Sequence, residues 1–148
     1  MSVSAFDPED LKEVLRGVAM MIRDDLKARI QGKLSGEVLQ TRSGALLASL
    51  NSDADTDSDG VSIIITSNGV PYAGIQEYGG KIPAHDITAS KAKALAFSLR
   101  GSQIFASKVR HPGSTITPKA YLGASLAEFR DKIKSGFKEG VLAELRRG

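Results

Sequence analysis

Two amphipathic stripes, one near each end of the chain, constrain the fold more than any other feature. Leu11, Val14, Leu15, Val18, Ile22, Leu26 and Ile30 recur at spacings of three and four, which lines them along one face of a helix. Leu122, Leu126, Phe129, Ile133, Phe137, Val141 and Leu145 repeat the pattern toward the other end. Each stripe must be buried against something, and the segment between them supplies strands. Val61-Ser62-Ile63-Ile64-Ile65-Thr66 is rich in β-branched residues. Ala94 to Leu99 and Gln103 to Val109 flank Arg100-Gly101-Ser102 at a spacing suited to a hairpin. Helices, then strands, then a helix give an α+β fold, in which a small antiparallel sheet is packed by an N-terminal helix and a long C-terminal helix.

Local signals place the boundaries. Asp7-Pro8-Glu9-Asp10 starts the first helix, with Asp7 capping free amides and the acids at the positive dipole end. Gly32 is expected to end it. Ala45-Leu46-Leu47 with Leu50 suggests a second, short helix capped by Thr41 or Ser43. Residues 51–60 are polar throughout and read as an acidic loop, and Asn68-Gly69 marks a turn. Pro71 to Tyr78 fits either a short helix or an extended segment, broken by Gly79-Gly80. His111-Pro112-Gly113 interrupts the later strands, and Thr117-Pro118 announces the final helix. Gly136 and Gly140 inside that helix each cost about 1 kcal/mol relative to alanine, so its last turns should fray or lean on a neighbour. The layout is a single domain over 1–148: helices in 8–50, the acidic loop 51–60, a sheet region 61–117 and the C-terminal helix 118–146, without internal repeats.

Composition narrows the chemistry. With 148 residues, 41% of them apolar, the chain can form one core. It has no cysteine and no tryptophan, so disulfides, zinc-thiolate sites and thiolate nucleophiles are excluded, and a reducing compartment is expected. Met1 to Asp10 lacks the basic-then-apolar character of a secretory signal, and no apolar run reaches membrane-spanning length. A soluble protein made in a cytoplasm, with no membrane partner, is the expectation. The net charge of +3 hides an asymmetry: residues 1–80 hold seven Lys/Arg against twelve Asp/Glu, and residues 81–148 hold thirteen against five. Halves of opposite sign suit either a nucleic-acid face or complementary faces of identical subunits packed head to tail.

Tests for a catalytic or metal site find little. Asp55-Thr56-Asp57-Ser58-Asp59-Gly60 matches the start of a calcium loop, but its twelfth position is Thr66, which offers no bidentate carboxylate. His85 and His111 have no further ligand at metal-binding spacing. No Gly-x-Ser-x-Gly turn presents a nucleophile, and Gly79-Gly80 lacks the lysine of a phosphate loop. Glu77 and Asp86 flank a glycine pair, yet carboxylates so placed are commoner as surface groups than as acid-base couples. An enzyme is not expected, and no cofactor or metal. Lys81, Lys91, Lys93, Arg100, Lys108, Arg110 and Lys119 accumulate around a single acid, Asp86, so Lys91, Lys93, Lys108 and Arg110 are candidate non-specific DNA contacts.

Three phrases carry a resemblance. Thr41-Arg42-Ser43-Gly44-Ala45-Leu46-Leu47-Ala48-Ser49-Leu50 comes first, then Pro71-Tyr72-Ala73-Gly74-Ile75-Gln76-Glu77-Tyr78-Gly79-Gly80. Val109-Arg110-His111-Pro112-Gly113-Ser114 with Ile116-Thr117-Pro118-Lys119-Ala120-Tyr121-Leu122 completes the set. In order and spacing they resemble the tail-completion and neck (head-tail joining) proteins of long-tailed bacteriophages. The family usually carries an arginine and a proline where this chain has Lys119 and Ala120. The resemblance implies a small α+β virion protein, made in the bacterial host and assembled as a homo-oligomeric, six-membered ring with other phage neck, connector and tail proteins. It brings no catalytic residues. Tyr72, Glu77, Tyr78, Gly79, Gly80, His111, Pro112, Lys119 and Tyr121 are then the expected partner or subunit contacts. A tail terminator ring capping the tube is the nearest alternative, and a DNA-contacting protein using residues 81–119 is the alternative of another class.

Overall fold

The computed structural model describes residues 7–39, 44–90 and 93–147. The expected α+β fold is present, with a long helix at each end and antiparallel strands between them. Helix α1, Pro8–Gly32, begins as the sequence indicates: the Asp7 carboxylate accepts from the Glu9 amide at 2.9 Å. Its regular α-helical stretch ends at Gly32 as expected, although Gly32 itself keeps helical dihedrals. The chain continues through a wide π-type turn, Lys33–Glu37, and stops at Gly36, whose φ of 123° only glycine tolerates readily. Helix α2, Ala45–Ala48, follows, with Gly44 at its N-cap; Thr41 and Ser43, the expected caps, lie outside the described residues.

The long helix α4, Tyr121–Leu145, runs antiparallel to α1. Arg29 reaches Glu128 at 2.7 Å, Asp25 reaches Lys132 at 2.6 Å, and further along Ile22 and Val18 meet Gly136 and Gly140. A Cβ at Gly136 would stand 3.2 Å from Ile22 Cδ1, and one at Gly140 would stand 3.1 Å from Val18 Cγ2. These two glycines therefore let the helices approach closely, and the neighbour expected to hold the last turns of α4 is α1 itself. The core is small: Leu26, Ile30, Leu34, Leu46, Leu50, Ala73 and Tyr121 are buried together, with Phe129 and Ile65 packed at their edge.

Two corrections concern the strands. The segment expected as an acidic loop, 51–60, is mostly strand: β1, Leu50–Thr56, pairs antiparallel with β2, Val61–Ser67, and only the four residues between them turn. Its aspartates alternate with Ser52, Ala54 and Thr56, so a period of two was present under the polar composition. The inward residues, Ser52, Ala54, Ile63 and Ile65, are half-buried, and the outward ones, Asp53, Asp55 and Ile64, are exposed.

The second correction is that the strands do not form one sheet beneath the helices. Helix α3, Ala73–Tyr78, resolves the ambiguous segment and leads into three nested antiparallel pairs. Strand β3, Gly80–Ile82, pairs with β8, Ser114–Ile116. Strand β4, His85–Thr88, pairs with β7, Lys108–His111. Strand β5, Leu95–Leu99, pairs with β6, Ser102–Ala106, across the turn at Arg100-Gly101. Together they make a two-stranded arm from Gly80 to Ile116, in which no described residue is buried. Its returning leg, 102–116, would span up to about 50 Å at roughly 3.3 Å per residue. The predicted hairpin is real, but it forms a projection and not a core layer.

Candidate functional site

The second and third sequence phrases meet in space. Helix α3 ends against the start of α4, and Glu77, 8% exposed, supplies the join: its two carboxylate oxygens accept from the Leu122 amide at 2.9 Å and the Gly123 amide at 2.8 Å. These are free N–H groups at the positive end of a 25-residue helix, so a carboxylate from another element acts as its cap. Beside it the Lys119 amide donates to the Gln76 carbonyl at 2.7 Å and the Ala120 amide to the Glu77 carbonyl at 3.1 Å. Gly79 has φ +72°, and a Cβ there would lie 2.7 Å from both the Ile116 carbonyl oxygen and Pro118 Cδ. Tyr121 is 1% exposed; burial raises its phenol pKa, opposed by a hydrogen bond with Ser67.

This joint revises the expected partner contacts. Glu77, Gly79 and Tyr121 are turned into the fold: the Glu77 carboxylate meets the start of α4, the 116–118 segment fills the Cβ space of Gly79, and Tyr121 lies in the core with Leu26, Ile30 and Ala73. A motif that looked like a recognition surface is largely a device for fixing α3, α4 and the base of the arm together. Tyr78, 81% exposed, and Tyr72, 43% exposed, do face outward from α3. Gly80 and Pro112 are exposed, and His111 and Lys119 are half-buried. Ala120 adopts φ 46° and donates its amide, so proline, with φ fixed near −65° and no N–H, could not replace it in this backbone.

Beside Tyr78 an apolar cleft of about 340 Å³ opens between α1, β2 and α4, walled by Leu26, Ile30, Ile63, Ile65 and Leu122. Leu126, 55% exposed, stands at its rim. Glu77 also lines this cleft, with one carboxylate oxygen held by the Leu122 amide and the other by the Gly123 amide.

Along the arm, Asp86 binds Lys108 at 2.8 Å and Arg110 at 3.2 Å, and these cations, Lys108 first, lower its carboxyl pKa. Two of the four candidate DNA contacts thus share an internal acid. Lys93 is exposed, as are Lys81 and Arg100, and these three form no ion pair among the described residues; Lys91 lies outside those residues. His85 and His111 pair across β4 and β7 with rings stacked 4.9 Å apart, and the Gly113 amide donates to His111 Nδ1 at 3.0 Å. Glu77 and Asp86 are engaged separately, one as a helix cap and the other in the arm. No group of three or more His, Asp or Glu side chains that could hold a metal occurs among the described residues.

At the β1–β2 turn Asp57 accepts from the amides of Asp59 and Gly60, at 2.8 and 3.0 Å, as an Asx turn does. Among the described residues, Asp53 accepts from the amide of Ala54 and Asp55 from that of Thr56, each at 2.8 Å. No described helix is long and apolar enough to cross a membrane. Comparison with protein-family models, with curated proteins and with solved structures finds no match.

Proposed function

We propose that this protein is a structural subunit of a phage virion that assembles as a ring in the neck or at the head-proximal end of the tail, completing the tail and joining it to the head. The observation that carries the reading is how much surface one copy leaves uncovered. A compact monomer of 15.7 kDa is expected to expose about 7,300 Å², and this chain exposes 10500 Å². The excess, roughly 3,200 Å², falls in the range that permanent subunit interfaces bury. The arm, whose described residues are all exposed or half-buried, is a two-stranded ribbon with free edges that is marginal alone in water and gains by docking. The three family-like phrases, two of which build the joint at the root of the arm, add the identity of the assembly to this argument. Whether the ring completes the tail or terminates its tube depends on which proteins meet its two faces.

The arm's basic residues favour a second reading, contact with DNA passing through or near the ring. Lys81, Lys93 and Arg100 are exposed and uncompensated among the described residues, as a phosphate-tracking surface requires. The test is to add purified protein to tails made without it and count those that join heads. Rescue supports the virion role, and failure with a folded, oligomeric protein contradicts it. Alanine replacement of Lys91, Lys93, Lys108 and Arg110 separates the second reading, which predicts lost DNA retention with assembly intact.

A further inference from the structure

Resting on the ring reading, we infer that the subunit interface is made by the basic arm of one copy docking on the acidic β1–β2 hairpin of the next. The two surfaces are complementary in charge and distinct in place. Residues 80–117 hold six Lys/Arg and one acid, whereas residues 50–67 hold four aspartates and no cation. The acids available on the hairpin are Asp53 and Asp55 on its outer face and Asp59 at its turn, none of them in an ion pair among the described residues.

Apolar surface accompanies the charge on both sides. Ile64, 51% exposed, lies opposite Asp53 on the outer face of the hairpin. On the arm, Phe105 is 65% and Leu99 54% exposed. Both ribbons are two-stranded and so keep unpaired edges, which a strand from another copy can satisfy. The arm tip is marked as well. Its two-residue turn holds Arg100 at φ 49° and Gly101 at φ 84°, a geometry that asparagine-glycine meets with less strain. A cation held there at a conformational cost fits a contact role at the tip.

An arm and a hairpin are different surfaces, so their contact is head to tail, and repetition of one such contact closes into a ring when its rotation permits. Charge complementarity of this kind sets register and excludes wrong partners more than it supplies raw affinity. The apolar residues supply the area.

The test uses the full-length chain and light scattering with three variants: Lys93→Glu with Arg100→Glu, Asp53→Lys with Asp55→Lys, and all four together. Circular dichroism checks that each is folded, and a fluorescent DNA duplex is titrated in parallel. Each pair should weaken association at least tenfold, and the fourfold variant should recover it, because the reversed arm then meets a reversed hairpin. The inference is overturned if wild type forms a ring and the hairpin variant forms it equally well, or if the fourfold variant fails to recover. It is also overturned if the arm pair loses only DNA retention while assembly persists. A wild type that stays monomeric at every concentration and salt level removes the ring reading together with this interface, which distinguishes the two failures.

Discussion

Replacing Glu77 with glutamine tests the joint between α3 and α4 at a single atom. Glutamine has nearly the same shape and keeps one acceptor oxygen, but it turns an NH₂ group toward one of the two amides, Leu122 or Gly123, that the carboxylate now serves at 2.9 and 2.8 Å. A buried donor left without a partner costs about 1–3 kcal/mol. Losing a negative charge at the positive end of a helix costs about 0.3–1 kcal/mol more, and up to about 2 in a partly buried setting. The expected loss is therefore about 2–3 kcal/mol, which for a chain of this length lowers Tm by about 4–12 °C. Thermal unfolding by circular dichroism at neutral pH measures it, with Glu139→Gln, an exposed carboxylate, as the control expected to stay within about 0.5 kcal/mol. A Glu77→Gln protein melting within 1 °C of wild type would refute the capping argument.

Three further outcomes follow from the same geometry. Glu128 is held down to about 2 by hydrogen bonds from Arg29 and Lys33, against an ordinary 4.5, so its contribution is complete above pH 4.5 and is lost as the pH falls toward 2. Tm should drop more steeply across that window in wild type than in Glu128→Gln, and parallel curves would count against the cluster; because Glu128 is 44% exposed, salt should shrink the difference. Gly79→Ala, which combines a left-handed φ with a 2.7 Å clash, should cost about 2–4 kcal/mol in urea unfolding, whereas Gly74→Ala, in a helix with open space around it, should be neutral or stabilise by up to about 1 kcal/mol. Replacing residues 82–114 with Asn-Gly should leave the rest of the chain unfolding cooperatively within about 1 kcal/mol of wild type, since no described arm residue is buried, and a molten product would contradict that.

The helices were legible because their apolar stripes at spacings of three and four are local and long, and the hairpin at Arg100-Gly101 because its turn chemistry is local too. What the sequence concealed was tertiary. Strand β1 hides beneath an aspartate-rich composition, since outward acids alternate with small inward residues that an apolar-pattern search passes over. The arm could not be told from a sheet, because a strand paired on one side only has the same residues as one about to be covered. For the candidate site, the motif residues were found but their destination was not. Glu77 and Tyr121 sit 44 positions apart in sequence, and nothing local says that the carboxylate of one element caps the helix that the other begins. Gly136 and Gly140, which look like weaknesses of α4, become intelligible only once Val18 and Ile22 are seen against them.

The central claim is that one copy is incomplete by itself, and the mass of the purified protein in solution tests it most directly. Light scattering over a range of concentrations and salt levels should give one closed oligomer, a fixed multiple of 15.7 kDa that stops growing as concentration rises. A mass of 15.7 kDa under every condition would contradict the account.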